Sequence, residues 1–258
     1  MTELALRFAA AQTIIRELGA FALGYFNDRD ALGITMKGAQ DWLTVADGKV
    51  EALFRQRIAE LFPGDGVMGE EQGGGASDRL WIIDPIDGTA NFAHGDRQWC
   101  VSIGFLRNGV PELGLIYAPA MDELYLARRG HGATMNGKAM APADTTAMNR
   151  ATLEIGWSNR RPLDDYLTLV RAAYGLGANV KRGASGALGI AHVALGRTDG
   201  YVEVHINSWD VAAGVVIAAE AGAVINDFFA SPDALTEGNP ILCAAPGIAA
   251  EFRALARI

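Results

Sequence analysis

The stretch Trp81-Ile82-Ile83-Asp84-Pro85-Ile86-Asp87-Gly88-Thr89-Ala90-Asn91-Phe92 decides the reading of this chain. Leu80 to Ile83 is an apolar run with the character of a buried strand, and Pro85, which has no N–H, is expected to stop that strand at Asp84. Two carboxylates, Asp84 and Asp87, then flank a rigid turn, and Gly88 lets the backbone approach a ligand closely. Hard cations such as Mg²⁺ prefer oxygen ligands and bind through a few carboxylates plus phosphate, while free N–H groups at a helix start attract the phosphate itself. A plain Asx turn between strands uses the same residues, so the segment has to be weighed with the rest of the chain.

Two further acidic stations supply that weight. Gly69-Glu70-Glu71 follows the apolar pair Val67-Met68, which puts Glu70 at a strand end and leaves one acid of the pair to the solvent. Trp209-Asp210 precedes Val211 to Glu220, a helical pattern in which Asp210 suits the N-cap. Carboxylates from three separate segments can therefore converge on one small volume.

With these stations the chain resembles the inositol monophosphatase family of Mg²⁺-dependent phosphatases. The resemblance rests on Lys37 with Leu43-Thr44-Val-Ala-Asp47, Gly69-Glu70-Glu71, Trp81 to Phe92 with His94-Gly95, Ser185-Gly-Ala-Leu188 with Gly196-Arg197, Glu203, and Trp209-Asp210-Val-Ala-Ala-Gly214. It covers nearly the whole chain. Gly186, where the family usually has Ala, and Asp41-Trp42, just ahead of Leu43-Thr44, depart from the pattern and touch substrate choice rather than the acids.

The resemblance implies a phosphoric monoester hydrolase, most simply an inositol-1-monophosphatase, with histidinol phosphate or nucleotide 3′-phosphates as alternative substrates. It implies that Glu70, Asp84 and the Ile86 carbonyl hold one Mg²⁺, and Asp84, Asp87 and Asp210 a second. Glu70 and Thr89 would orient the attacking water, the Gly88 and Thr89 amides would bind phosphate, and Gly186, Glu203 and Asp210 would face the substrate. Lys37, Thr44 and Asp47 would belong to a mobile element linked to a third metal, although Asp47 also suits a helix cap. Sensitivity to lithium and a homodimer follow from the same resemblance. A metal-binding regulatory protein without catalysis is the alternative from another class.

Composition agrees with an enzyme acting on small molecules. The chain has 258 residues, half of them hydrophobic and 20% charged, as expected for a globular protein with a large core. A net charge of −8 argues against a nucleic-acid polymer as partner, because phosphate backbones reward clusters of Lys and Arg. Cys100 and Cys243 lie in apolar surroundings without a C-x-x-C pattern, so buried thiols are expected rather than a disulfide or thiolate zinc site. The N-terminus has no basic region followed by an unbroken apolar core, and Glu220 interrupts the longest apolar run; a cytoplasmic protein without a membrane span is expected.

Along the chain, helices are expected over Glu3 to about Tyr25 and Gly48 to Leu61. Strands follow over Leu80–Ile83, Trp99–Arg107, Glu112–Ala118 and Glu123–Arg128, separated by turn residues as in an antiparallel meander, with a hairpin at Met135-Asn-Gly-Lys138. A mixed half comes next: strand Thr152–Ile155, helices Leu163–Tyr174 and Ser185–Leu195, strand Gly200–Val204, helix Asp210–Ala221, strand Ala223–Ile225. The pattern is α+β in two halves, 1–145 and 146–258. The resemblance sharpens this to alternating layers of helices and sheets, an αβαβα sandwich with the site between the halves. Gly183-Ala-Ser185-Gly-Ala187 approaches a nucleophile elbow but has Ala187 where the last Gly belongs and no clear strand before it. The sequence contains no P-loop and no H-E-x-x-H.

Overall fold

The structure is a computed structural model that describes residues 2–28, 30, 32–33, 35–38, 41–231 and 233–258, and the backbone alone at 36–38 and 41–43. Helix α1 (Glu3–Asn27) leads through the hairpin β1 (Thr35–Gly38) and β2 (Asp41–Leu43) to α2 (Val45–Leu61). A seven-stranded sheet follows in chain order: β3 (Gly66–Gly69), β4 (Arg79–Asp87), β5 (Cys100–Arg107), β6 (Val110–Ala118), β7 (Glu123–Arg128), β8 (Ala133–Met135) and β9 (Lys138–Ala139), with α3 (Thr89–His94) between β4 and β5. Strands β3 and β4 run parallel, and the pairs from β4 onward are antiparallel, as the meander predicts. The later residues form β10 (Thr152–Ile155), α4 (Leu163–Gly175), β11 (Asn179–Lys181), α5 (Gly186–Ala194), β12 (Gly200–Ile206), α6 (Ser208–Ala221), β13 (Val224–Ile225), α7 (Ala234–Glu237), β14 (Asn239–Ala244) and α8 (Ala249–Ala256). Their strands pair in the order β11-β10-β12-β14-β13.

Both sheets are buried on two faces, which gives the expected stack of layers. Helices α1 and α2 cover one face of the larger sheet, where Ile15, Leu18 and Phe54 meet Trp81, Ile83, Ile103 and Phe105. Helices α5 and α6 lie between the sheets, packing Ile190, Val211 and Ala213 against Ile116 and Tyr125 on one side and Tyr201 and Ile241 on the other. Helices α4 and α8 close the far side with Leu169 and Phe252 over Leu153, Val202 and Leu242. Helix α6 sits so close to the larger sheet that a Cβ at Gly104 would come within 2.6 Å of Ala212 Cβ. Trp81 anchors the outer core: it is fully buried, packs at 4.7 Å on Phe105, and donates its indole N–H to Asp65 at 3.0 Å. Burying a ring of that size contributes roughly 4–6 kcal/mol as an upper bound on area transfer.

Strand β4 corrects the expectation that Pro85 ends it. It runs through to Asp87, and the ladder to β5 slips between Asp84 and Asp87 in a bulge that absorbs the missing N–H. That slip decides which way the acids face. Leu80, Ile82 and Asp84 share the face toward α6, and alternation alone would send Asp87 to the opposite face with Trp81 and Ile83. The bulge inserts one residue, Ile86 drops into the outer core, and Asp87 returns to the side of Asp84. Two helix starts also differ from expectation. Helix α2 begins three residues before Gly48, with Thr44 as N-cap, and α6 begins at Ser208 with Asn207 as N-cap, so Asp47 and Asp210 each occupy the third helical position. Strands β1, β2, β11 and β14 and helices α3, α7 and α8 add to the expected elements, and β3 is the strand expected before Glu70. No helix among the described residues is long and apolar enough to cross a membrane.

Candidate active site

The bulged end of β4 and the first turn of α6 bring three of the expected acids together. Carboxylate oxygens of Asp84, Asp87 and Asp210 all lie within 4.8 Å of one another. Asp210 is placed by its helix: from the third position it accepts the Asn207 N–H at 3.0 Å. Asp84 accepts the Ile86 N–H at 2.9 Å, which rigidifies the bulge. Asp87 is gripped from across the molecule, accepting Ser185 Oγ at 2.5 Å, the Ala187 N–H at 2.8 Å and the Gly186 N–H at 3.1 Å.

Such crowding is electrostatically unfavourable without a counter-charge. Burial, reinforced by the charges of Glu70, Asp87 and Asp210, pushes Asp84 well above the usual carboxylate range. Burial and the charge of Asp87 raise Asp210 to about 7. Asp87 is also raised by burial, although its hydrogen bonds pull the other way. Three hard oxygen donors, sequestered and mutually repelling, form a set that fits a divalent cation such as Mg²⁺. Glu70 follows the end of β3 and lines the same cleft, close enough for its charge to act on Asp84. Ile86 presents its backbone carbonyl here, where it accepts the Thr89 hydroxyl at 3.0 Å.

Gly88, at φ 93, turns the chain into α3, a left-handed conformation that glycine adopts without strain. Thr89 therefore starts α3 beside the acids. Its hydroxyl also lies 3.3 Å from Asp47 Oδ1. The other Asp47 oxygen accepts the Thr44 N–H at 2.8 Å and the Thr44 hydroxyl at 2.6 Å. Both oxygens of Asp47 are thus engaged by Thr44 and Thr89. Asp47 is fully buried, and desolvation raises its carboxyl to about 6. Lys37, expected with Thr44 and Asp47, has a side chain outside the described residues.

The cleft beside these groups has a volume of about 240 Å³ and is walled by Glu70, Asp87, Thr89, Gly186, Glu203 and Asp210. It continues into a hollow of about 410 Å³ that reaches Trp157, Arg160 and Arg182. Glu203 lies inside β12 rather than at its end and shares a face with Tyr201, whose hydroxyl donates to Glu203 Oε2 at 2.7 Å. Desolvation pushes the Glu203 carboxyl up to about 8. Gly186 matches this wall, because a Cβ there would stand 2.7 Å from Ile206 Cδ1.

Several residues of the site were not singled out by sequence reasoning. Ser185 was noted as part of a shared motif, as a helix start and within the imperfect elbow, but not as a partner of Asp87; β11 does precede it, and its hydroxyl is spent on Asp87. Glu154, buried in β10, accepts the Gly183 N–H at 2.9 Å and pairs with Lys181 at 3.0 Å, fixing the loop before α5. Ala184 in that loop adopts φ 58, uncommon for a residue with a Cβ. Cys100 lies beneath Asp87, with Sγ 3.7 Å from its carboxylate, and both cysteines are free and buried. Their signals are contacts between distant segments, which local pattern does not carry. Glu71, the acid assigned to solvent, is half-buried, and its charge acts on Asp47. His94 is exposed at the end of α3, with Nδ1 2.7 Å from the Ala90 carbonyl.

Buried carboxylates at a bulged strand end, between layered sheets and beside a Gly–Thr turn, are the architecture of a class of metal-dependent phosphatases. The chain belongs to the inositol monophosphatase family, whose profile matches residues 4–257. It is 36% identical over 221 residues to an inositol-1-monophosphatase of Mesorhizobium japonicum, covering 84% of this chain and 83% of that protein. It is 33% identical over 248 residues to the Nus factor SuhB of Pseudomonas aeruginosa, covering 93% and 89%. Among solved structures, an inositol monophosphatase from Anabaena superposes with a TM-score of 0.83 at 34% identity, over 99% of this chain and 96% of that one.

Proposed function

We propose that the protein is a Mg²⁺-dependent phosphoric monoester hydrolase of inositol-1-monophosphatase type. The observation that carries this reading is the convergence of Asp84, Asp87 and Asp210 within 4.8 Å, beside the contact of Thr89 with Asp47. Glu70, Asp84 and the Ile86 carbonyl are assigned to one Mg²⁺, and Asp84, Asp87 and Asp210 to a second. When bound, Mg²⁺ supplies charge compensation for the phosphate and lowers the pKa of the attacking water.

The chain's own groups do the positioning. Thr89 accepts a hydrogen bond from the water while its own proton points to Ile86 or Asp47, and Glu70 orients the same water. The Gly88 and Thr89 amides receive phosphate oxygens. Gly186 and Asp210 border the substrate, and Glu203 receives a hydroxyl of the leaving alcohol. Thr44 and Asp47 are assigned to holding Thr89 rather than to a third metal. A cytoplasmic homodimer, sensitive to lithium and divided near residue 145 into two halves that meet at the site, completes the reading.

Histidinol phosphate and nucleotide 3′-phosphates remain the competing substrates, because Glu203 can accept from an ammonium as well as from a hydroxyl. A regulatory role without catalysis is the competing class, since proteins named Nus factor SuhB match at comparable identity. The engaged Asp47–Thr89 pair favours catalysis, because a scaffold has no need of a buried carboxylate on that hydroxyl. Phosphate release from a panel of phosphomonoesters, with Mg²⁺ and with chelator, tests the assignment. Mg²⁺-dependent turnover of an inositol phosphate above the other alcohols supports it; silence on every ester, aryl phosphates included, would sink it.

A further inference from the structure

Helix α2 touches the site at two points one turn apart. Asp47 and Glu51 are four residues apart on one helix face, and both side chains are fully buried. Asp47 reaches Thr89, whereas Glu51 reaches the turn that carries Glu70. Glu51 Oε2 accepts the Glu71 N–H at 2.8 Å, and Oε1 accepts the Gln72 N–H at 3.1 Å. Arg55, one turn further on, donates Nε to Glu51 Oε1 at 2.8 Å and its terminal nitrogens to the Val67 carbonyl at 3.3 Å and the Gly73 carbonyl at 2.5 Å. The turn is closed by reciprocal bonds between Gly69 and Gly73, each 3.0 Å. Gly69 is required there, because a Cβ would overlap the Glu51 carboxylate.

We infer that Glu51 is the positioning residue of Glu70, and that α2 thereby sets both members of the water-orienting pair, Thr89 through Asp47 and Glu70 through Glu51. Glu51 is not part of the cleft wall, so it acts through the backbone of residues 71 and 72 and through Arg55. A charged acceptor serves two amides and a guanidinium at once. A neutral amide of the same shape has one oxygen to offer and turns an NH₂ toward a backbone N–H, which displaces the turn. The inference rests on the reading of Glu70 as a metal ligand. Residues that orient ligands without touching the metal typically hold tenfold to hundredfold in its affinity.

The test is calorimetric Mg²⁺ titration of the full-length protein, with thermal melting and phosphate release alongside. Glu51→Gln is expected to weaken Mg²⁺ binding about tenfold or more, with kcat recovering to within about threefold at saturating Mg²⁺. Because Glu51 acts through Glu70, the double variant Glu51→Gln/Glu70→Gln should bind Mg²⁺ no more weakly than Glu70→Gln alone. A lowered melting temperature with an unchanged Mg²⁺ constant, or losses that add in the double variant, would overturn the inference. Should Glu51→Gln fail to fold, Glu51→Asp keeps the charge one methylene short and is expected to give an intermediate weakening; a wild-type constant in that variant counts against the proposal. If Glu70→Gln itself leaves Mg²⁺ binding intact, the reading of Glu70 as a ligand falls. If Glu70→Gln weakens binding and Glu51→Gln does not, the inference alone falls.

Discussion

Ser185 donates its hydroxyl to Asp87 Oδ2 at 2.5 Å, tying the start of α5 to the bulged end of β4 across 98 residues of chain. Asp87 therefore does two jobs, as a proposed metal ligand and as acceptor for the first amides of α5. Asp87→Asn is expected to lower turnover by at least about a hundredfold and to cost roughly 1–3 kcal/mol of stability, a melting shift of several degrees. Ser185→Ala leaves Asp87 its two amides and should cost about 1 kcal/mol and less than tenfold in activity. Steady-state kinetics with thermal melts check both, and wild-type turnover in Asp87→Asn refutes the assignment.

Thr89→Ala removes the hydroxyl between Asp47 and the Ile86 carbonyl without opening a core cavity. Its kcat should fall about 10²–10⁴-fold while KM and the melting temperature stay close to wild type. With Asp47 raised to about 6, kcat should decline as pH drops below that value, because protonation removes the charge that strengthens its bond to Thr89 and puts a hydrogen on one of two oxygens that are both accepting. A pH–rate profile of Asp47→Asn that keeps the same acidic limb would remove Asp47 from this role.

Glu203→Gln distinguishes reading the alcohol from supporting the metal site. Assayed above pH 8, where the Glu203 carboxyl is ionised, it should spare an aryl phosphate, which has no hydroxyl to offer, and reduce kcat/KM on the natural substrate about tenfold to a hundredfold, the value of a charged hydrogen bond near 1.5–3 kcal/mol. A histidinol phosphate substrate should suffer more than an inositol phosphate, because its ammonium loses a counter-charge. Equal losses on every ester would place Glu203 in support of the fold.

Stability of the metal-free protein should fall as pH rises. Asp210 and Glu203, raised to about 7 and about 8, keep protons that the unfolded chain releases near pH 4, so the folded state binds more protons and loses stability through this window. His192, buried and pushed down to about 4, works in the opposite direction, but only between pH 4 and about 6.5. The net fall should thus be clearest from pH 6.5 to 8 and amount to roughly 2–3 kcal/mol from these two acids. Melting curves across that range test it, and Mg²⁺ should restore more stability at pH 8 than at pH 5. A metal-free protein that grows more stable over this window contradicts the picture of crowded acids.

Much of this was legible in local pattern. Helices α1 and α6 carry apolar spacing over many turns, and β5 to β8 are separated by Asn-Gly, Ala-Pro and Arg-Gly turns, so their types and order followed from the residues. The acids of the site were legible for the same reason, because Asp84, Asp87 and Asp210 each border a strongly patterned element. The passage of β4 through Pro85 was not, since what admits a proline there is the slip of its partner β5. Strand β14 is too short an apolar run to be told from a helix turn. The grip of Ser185 on Asp87 and of Glu51 on the turn after β3 joins residues distant in sequence, and only the packed layers bring them together.

The most direct measurement is phosphate release from an inositol monophosphate by the full-length protein, with Mg²⁺ titrated from exhaustive chelation to saturation and Asp84→Asn assayed in parallel. Asp84 is the carboxylate assigned to both metals, so the account predicts no turnover under chelation, recovery on Mg²⁺ addition, and a loss of at least about a thousandfold in Asp84→Asn at every Mg²⁺ concentration. Turnover that survives chelation, or an Asp84→Asn variant as active as wild type, would contradict it.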